Sequence, residues 1–201
     1  MTHRMILAIH SIFSTYGTWL PNEPRGSLST FVASWELFRY GPATTVGPND
    51  FVARKPYDRT LKKQMQSGLK RAPVRFTIPQ IRVLGDSLRN LPYTFHALAV
   101  MPDHVHAIIG RTCRDIRHVI GHIKSEMTRA LRANAWFTDR SPWAQHGWNI
   151  FLDSDKDVIR SIDYTNRNPA RDGLPTQQWS FIQPFVPEEF SASDTRRKRR
   201  G

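Results

Sequence analysis

A single cysteine, Cys113, stands in 201 residues. An intramolecular disulfide framework and a cysteine-rich zinc module are therefore excluded, and a reducing compartment, the cytoplasm, is the expected setting. Long hydrophobic runs are missing as well. The opening MTHRMILAIHSIF holds an apolar stretch too short to span a bilayer, interrupted by His10 and Ser11 and followed by no small-residue cleavage site. Neither a leader peptide nor a membrane partner is expected. Acidic residues are scarce, 17 Asp and Glu against 29 Lys and Arg, which gives a formal charge of +12. Such an excess repels itself unless an acidic partner offsets it, so nucleic acid is the first candidate. Among the bases lysine is the minor species: 22 of the 29 are arginine, whose planar fork matches phosphate oxygens bidentately. Without the terminal run Arg196-Arg197-Lys198-Arg199-Arg200 the balance is still +7, so the body of the chain is basic.

The length suits one well-buried domain, expected over residues 1–190, with 191–201 as a disordered basic tail. Residues 5–13 (MILAIHSIF) read as a buried strand ending at the turn-rich STYGTWLPNEPRGS. From there to Phe76 no periodicity is sustained, and 40–76 is expected to be an irregular basic insertion with one short helix. Thr77-Ile78-Pro79-Gln80 has capping-box form and opens a helix to about Asn90. Tyr93–Val100 and His104–Gly110, separated by Met101-Pro102-Asp103, read as a hairpin. Thr112 is expected to start the longest helix, with Ile116, Val119, Ile120, Ile123, Met127, Ala130 and Leu131 as its buried stripe. A short strand, Trp148–Leu152, precedes a second capping pattern at Ser154–Asp157 and a helix that Pro169 is expected to stop at Asn168. Residues 174–190 form an aromatic tail expected to lie over the core. The order β, insertion, α, β, β, α, β, α predicts an α+β fold, a ferredoxin-like antiparallel sheet with helices packed on one side.

Two positions of this scheme carry chemistry. Alternate side chains of a strand share a face, so His104 and His106 project together and are arranged to share a cation. His-x-His alone is weak evidence, since two polar residues at a hairpin mouth are commonplace. On the last helix, at about 100° per residue, Asn168 lies near +40° and Arg160 near −40° from Tyr164, while Val158, Ile159 and Ile162 lie more than about 110° away. The tyrosine is thus expected on the polar face, although a helical tyrosine more often packs into a core. A phenol nucleophile, a Lewis-acid site and neutralising arginines are what transesterification of a phosphodiester requires. Asp103 sits at the turn, where satisfying turn backbone is the expected task and orienting a histidine the alternative. No general base suggests itself.

DHVH within LAVMPDHVHAIIG, the basic helix IGHIKSEMTRAL and DYTNRNPARDGL resemble the single-tyrosine HUH transposases. Within these the chain is most similar to the REP-associated tyrosine transposases and their IS200-like insertion-sequence relatives, which carry His-hydrophobic-His and a later Tyr-x-x-x-Asn-Pro helix. FSTYGTWLPNEPRGS also looks like a segment near the start of one branch. The resemblance covers roughly residues 5–20 and 77–175. It implies a strand transferase that nicks and rejoins single-stranded, hairpin-bearing DNA. By the resemblance Tyr164 would attack the scissile phosphate to give a 5′-phosphotyrosine link, and His104, His106 and Asn168 would hold the metal, Mg2+ or Mn2+. It also allows a homodimer in which tyrosine helices are exchanged.

Arg114, Arg117, Lys124, Arg129, Arg160 and Arg167 are the candidate DNA-binding bases, against the ordinary alternative of a solvated helix face. Trp19, Trp143 and Trp148 are candidate stacking platforms at about 1–3 kcal/mol per base, with core packing favoured for Trp148. A catalytically inactive single-stranded DNA- or RNA-binding protein is the alternative function, and a structural histidine-metal protein would leave the charge of +12 unexplained.

Overall fold

The structure, a computed structural model, describes residues 5–23, 27, 32, 35–44 and 58–187. The expected basic tail, 191–201, lies outside the described residues. Along the chain run β1 (Ala8–Thr15), α1 (Trp35–Phe38), α2 (Arg59–Ser67), α3 (Ile78–Asp86), β2 (Phe95–Val100), β3 (His104–Gly110), α4 (Ile116–Ala133), β4 (Trp143–Leu152) and α5 (Asp155–Arg171). The strands form one sheet in the order β2-β3-β1-β4. With α3 between β1 and β2 and α4 between β3 and β4, this is the split βαβ arrangement of a ferredoxin-like α+β fold. The chain divides into two compact units, one of residues 1–12, 76–141 and 149–201, the other of 13–75 and 142–148.

The first unit holds the hairpin. β2 and β3 pair antiparallel, with Val100 opposite Val105, Ala99 opposite His106 and Leu98 opposite Ala107, and a bulge between Phe95 and Ala97. The turn closes where Met101 N–H donates to His104 O at 2.8 Å. Every β3 residue after His104 is buried, so both faces of this strand are covered. One face meets α5: Ile108, Ala97, Ala8, Leu152 and Val158 form a buried cluster that Ile162 packs against. Helices α3 and α4 pack on each other, and α3 also packs on β2. Asp115 rather than Thr112 begins α4: its carboxylate accepts from Arg117 N–H, while the Thr112 hydroxyl accepts from Arg114 N–H in a turn before the helix.

Because β2 is a sheet edge, its outward backbone groups need partners. Residues 177–183 supply them. The Gln177 side-chain amide both donates to Val100 O (2.7 Å) and accepts from Val100 N–H (2.8 Å), Trp179 Nε1 donates to Leu98 O, and Gln183 N–H donates to Phe95 O. Gly85 makes room for this strap, since a Cβ there would sit 2.1 Å from the Trp179 ring. Strand β4 is longer than its sequence suggested, because the run from Trp143 to Gly147, expected as a loop, also pairs.

Helix α5 passes through Pro169 and ends at Arg171. The expected stop at Asn168 fails because a proline in the last turn loses only one internal bond there. Closure comes from Gly173 at φ +71°: Leu174 N–H donates to Pro169 O and Gly173 N–H to Ala170 O, a Schellman ending that requires the left-handed backbone glycine adopts readily.

The second unit is built of short pieces. Leu20, Leu37 and Met65 form its small buried cluster, with Val32, Tyr40, Leu61 and Leu69 against it. Phe13 and Trp143 pack edge to face at 5.3 Å, and Trp143 is buried, so its expected role as a stacking platform gives way to core packing. Trp148 is half-buried and Trp19 half-exposed.

Candidate active site

Alternation along β3 puts His104, His106 and Ile108 on one face, and Ile108 belongs to the cluster that α5 covers. The two imidazoles lie 4.8 Å apart between ring centroids. On the neighbouring strand β1, His10 follows Ala8 by two residues and so shares the same face. Its Nε2 lies 2.9 Å from His106 Nδ1, with both rings buried. His10 was missed from the sequence, where it served only to interrupt an apolar run. The available signal was a histidine at a core-facing position of a strand that neighbours His-x-His in a ferredoxin-like sheet.

Burial pushes the His10 imidazole down to about 4, and burial together with the adjacent His104 and His10 pushes His106 further still. Both rings are therefore neutral near neutral pH, the ligating form of histidine. In each histidine of the pair the δ nitrogen is committed. His104 Nδ1 is 2.7 Å from Asp103 Oδ1, so the carboxylate accepts from the ring and orients it. For Asp103 the contact seen is therefore the orienting one, which the sequence offered as the alternative to a turn-backbone role. In the tautomer that carries its proton on His106 Nδ1, directed at His10 Nε2, both pair members keep an Nε2 lone pair available. His10 spends its own Nε2 on His106 and is a support, not a third ligand. Among the described residues no three His, Cys, Asp or Glu side chains are arranged to hold a metal, so an amide would have to complete such a set.

Helix α5 brings the phenol. Ser154 caps it by accepting from Asp157 N–H, Val158 anchors it in the cluster, and Val158, Thr165, Asn168 and Pro169 are its buried residues. Tyr164 sits at the flank of that buried face, 43% exposed, with its ring 5.6 Å from His106 and 6.2 Å from His10. Ile159, expected in the apolar stripe, is instead 51% exposed, because the stripe runs through Val158, Ile162 and Thr165. Asn168 follows Tyr164 by one turn, buried, with its Nδ2 lacking a hydrogen-bond partner. Arg171, two turns after Tyr164, places its guanidinium carbon 5.9 Å from the phenol ring centroid. No sequence motif marked it; seven-residue spacing on one helix was the signal.

Four of the six candidate bases are exposed on α4 or α5 and hold local partners. Arg117 pairs with Asp115 (2.7 Å), Arg167 with Asp163 (2.6 Å), Arg129 with Glu126 and Arg160 with Asp157. Exposed pairs of this kind are screened by water and contribute little, so they leave the guanidinium groups accessible to another anion. Arg114 is exposed ahead of α4. Lys124 is half-buried, and that burial lowers its ammonium to about 8.

No family model matches the chain. A curated protein of Haemophilus influenzae named for the REP-associated tyrosine transposases is 24% identical over 92 residues, 41% of this chain and 52% of that protein. The chain thus matches about half the length of that curated relative. Among solved structures, a REP-associated tyrosine transposase bound to a REP hairpin superposes with a TM-score of 0.43 at 13% identity, over 92% of this chain and 97% of its own. A protein of Deinococcus radiodurans described as a transposase gives 0.35 at 16% identity, over 82% and 92%. No helix among the described residues is long and apolar enough to cross a membrane. By sequence, the chain is similar to the REP-associated tyrosine transposases.

Proposed function

We propose that the protein is a strand transferase acting on single-stranded, hairpin-bearing DNA, with Tyr164 as its nucleophile. The observation that carries this is the 5.6 Å approach of the Tyr164 ring to His106, itself 4.8 Å from His104, within one chain. In the proposed step the Tyr164 oxygen forms a bond to phosphorus as the bond from phosphorus to the 3′ oxygen breaks. The phenol gives up its proton to solvent, and the departing 3′ oxygen takes one up. A 5′-phosphotyrosine link and a free 3′-hydroxyl result, and attack by a second 3′-hydroxyl reverses the step, so no nucleotide cofactor is consumed.

The donor set fits a divalent cation, Mg2+ or Mn2+. His104 and His106 would offer their Nε2 atoms, both δ nitrogens being engaged by Asp103 and His10. The side-chain oxygen of the buried Asn168, one turn beyond Tyr164 on α5, would complete the set. Two imidazoles with one amide oxygen favour the borderline Mn2+ over the harder Mg2+. When bound, the cation would polarise non-bridging phosphate oxygens. Arg171, lying over the phenol ring, adds positive charge where the oxygen becomes anionic in the attack. One chain carries the whole set, so the homodimer that the family resemblance allows is not required for the chemistry.

The test is incubation with end-labelled, hairpin-bearing single-stranded DNA and Mn2+, resolved by denaturing electrophoresis. Label is expected on the wild-type protein and absent from Tyr164→Phe, which still binds the DNA. Wild-type binding without adduct would leave a nucleic-acid-binding module only, and loss of adduct in Tyr16→Phe but not Tyr164→Phe would reassign the nucleophile.

A further inference from the structure

The second unit, residues 13–75 and 142–148, holds none of the proposed reacting groups, yet in sequence it carries ten Lys and Arg against four Asp and Glu. Half of the whole chain's +12 therefore sits in this smaller unit. Two of its four carboxylates are already occupied, Glu23 by Lys62 at 3.1 Å and Glu36 by Lys70 at 3.5 Å. Among the described residues Arg39, Arg59, Lys63 and Lys70 are exposed.

On this unit the short helix α1 behaves unlike an ordinary core element. Only Leu37 enters the buried cluster, while Trp35 is 85% and Phe38 64% exposed. Their rings lie nearly parallel, 7° between planes, with centroids 6.2 Å apart. Two large aromatics laid flat side by side in water forgo the burial that normally justifies such residues, and an apolar patch of this kind marks a contact surface. Its rim carries the guanidinium of Arg39 and the ion pair of Lys70 with Glu36. Arg39 follows Phe38 directly and is pinned: its guanidinium lies over the Tyr40 ring at 4.9 Å and donates to Tyr40 Oη at 3.0 Å. The Tyr40 hydroxyl in turn donates to Gln64 O, and a Cβ on Gly68 would lie 2.7 Å from Arg39 Nη2. Lys70, held by Glu36 of α1, stands beside the same helix.

A planar apolar surface edged by fixed cations within a strongly basic unit matches one ligand chemistry well. Unpaired nucleobases present faces for stacking, and the strand joining them presents phosphates to the rim. A protein partner of complementary charge would match the rim but has no comparable need of two parallel flat rings. We propose that Trp35 and Phe38 form a stacking platform for unpaired bases of the DNA strand flanking the hairpin, with Arg39 and Lys70 facing its phosphates. This rests on the reading of the chain as a protein of hairpin-bearing single-stranded DNA, but it concerns binding and not the tyrosine chemistry.

The test uses the full chain carrying Tyr164→Phe, so that no cleavage confuses the binding measurement. Fluorescence anisotropy at fixed salt compares a hairpin bearing a single-stranded flank with the same hairpin blunt-ended. Trp35→Ala/Phe38→Ala is expected to weaken binding of the flanked hairpin about tenfold or more and to leave the blunt hairpin within about twofold. Trp35→Tyr/Phe38→Tyr, which keeps both rings, is expected to stay close to the parent. As a second measurement that needs no substitution in the platform, 5-iodouracil in the flank is expected to photo-crosslink to Trp35 or Phe38, located by mass spectrometry. Unchanged affinity for the flanked hairpin, equal loss on both DNAs, or crosslinks confined to other residues would each overturn the platform while leaving the proposed function standing. A change in sedimentation with DNA binding intact would overturn it in favour of a protein contact. A parent that binds neither hairpin overturns both proposals.

Discussion

The two units distribute their roles in opposite ways. The first gathers His10, Asp103, His104, His106, Tyr164 and Asn168 on β1, β3 and α5, with Asp103 in the hairpin turn. The second has short helices, a cluster of three buried apolar side chains and as much net charge as the rest of the chain. Groups that must meet within a few ångströms are mounted on hydrogen-bonded strands and a long helix, whose repeat fixes where each side chain points. Groups that, as proposed, need only meet a polyanion lie on turns and short pieces, where direction matters less than charge.

That contrast breaks or holds under substitution. The largest expected effect is Tyr164→Phe, which removes the proposed nucleophile: adduct formation should fall at least about 1,000-fold while hairpin binding stays within about threefold. A variant of the second unit that matched this loss without weakening DNA binding would erase the distinction. Next comes the question of separate cores. Met65 and Met127 are fully buried in different units, and replacing either with Ala should cost about 2–5 kcal/mol in urea unfolding. If each unit keeps its own core, the two costs should add to within about 0.5 kcal/mol in the double variant, and strong non-additivity would merge the units energetically.

Smaller effects sharpen the first unit alone. His10→Ala leaves His106 Nδ1 without its hydrogen-bond partner and should weaken Mn2+ binding about 10- to 100-fold, read by calorimetry, with hairpin affinity in chelator unchanged. An unaltered Mn2+ affinity would reduce His10 to core filling. The same burial predicts a pH signature in metal-free protein. With His10 lowered from 6.5 to about 4, the unfolded chain binds a proton between those values that the folded chain does not. Stability should therefore fall as pH drops through that window, by about 1.4 kcal/mol per pH unit for each buried histidine. Urea unfolding at pH 7 and pH 5 checks this, with a smaller loss expected in His10→Ala than in the wild type.

Legibility in the sequence follows the same division. His104–Gly110 was readable to the residue because a two-residue repeat bounded by a proline turn has few alternatives. The capping boxes at Thr77 and Ser154 marked helix starts correctly, since a short-range side-chain bond decides them. Tyr164 was placed near the histidines by a wheel and a family resemblance, yet Ile159 was assigned inward because the wheel ignores which neighbours cover a face. His10 stayed hidden for a different reason: its partner lies 96 residues away, and only the strand order makes them neighbours. Helix α1 and the Trp143–Gly147 portion of β4 were illegible because tertiary pairing overrode weak local preference.

The segment 177–183 has a bearing on assembly. By lending a glutamine amide, an indole N–H and a backbone N–H to β2, it closes that margin against any foreign chain seeking to extend the ladder there. A second copy joining sheet to sheet along β2 would first have to peel this strap away, uncovering Gly85 and Trp179 together. Any self-association of the protein is thereby left to surfaces other than that border.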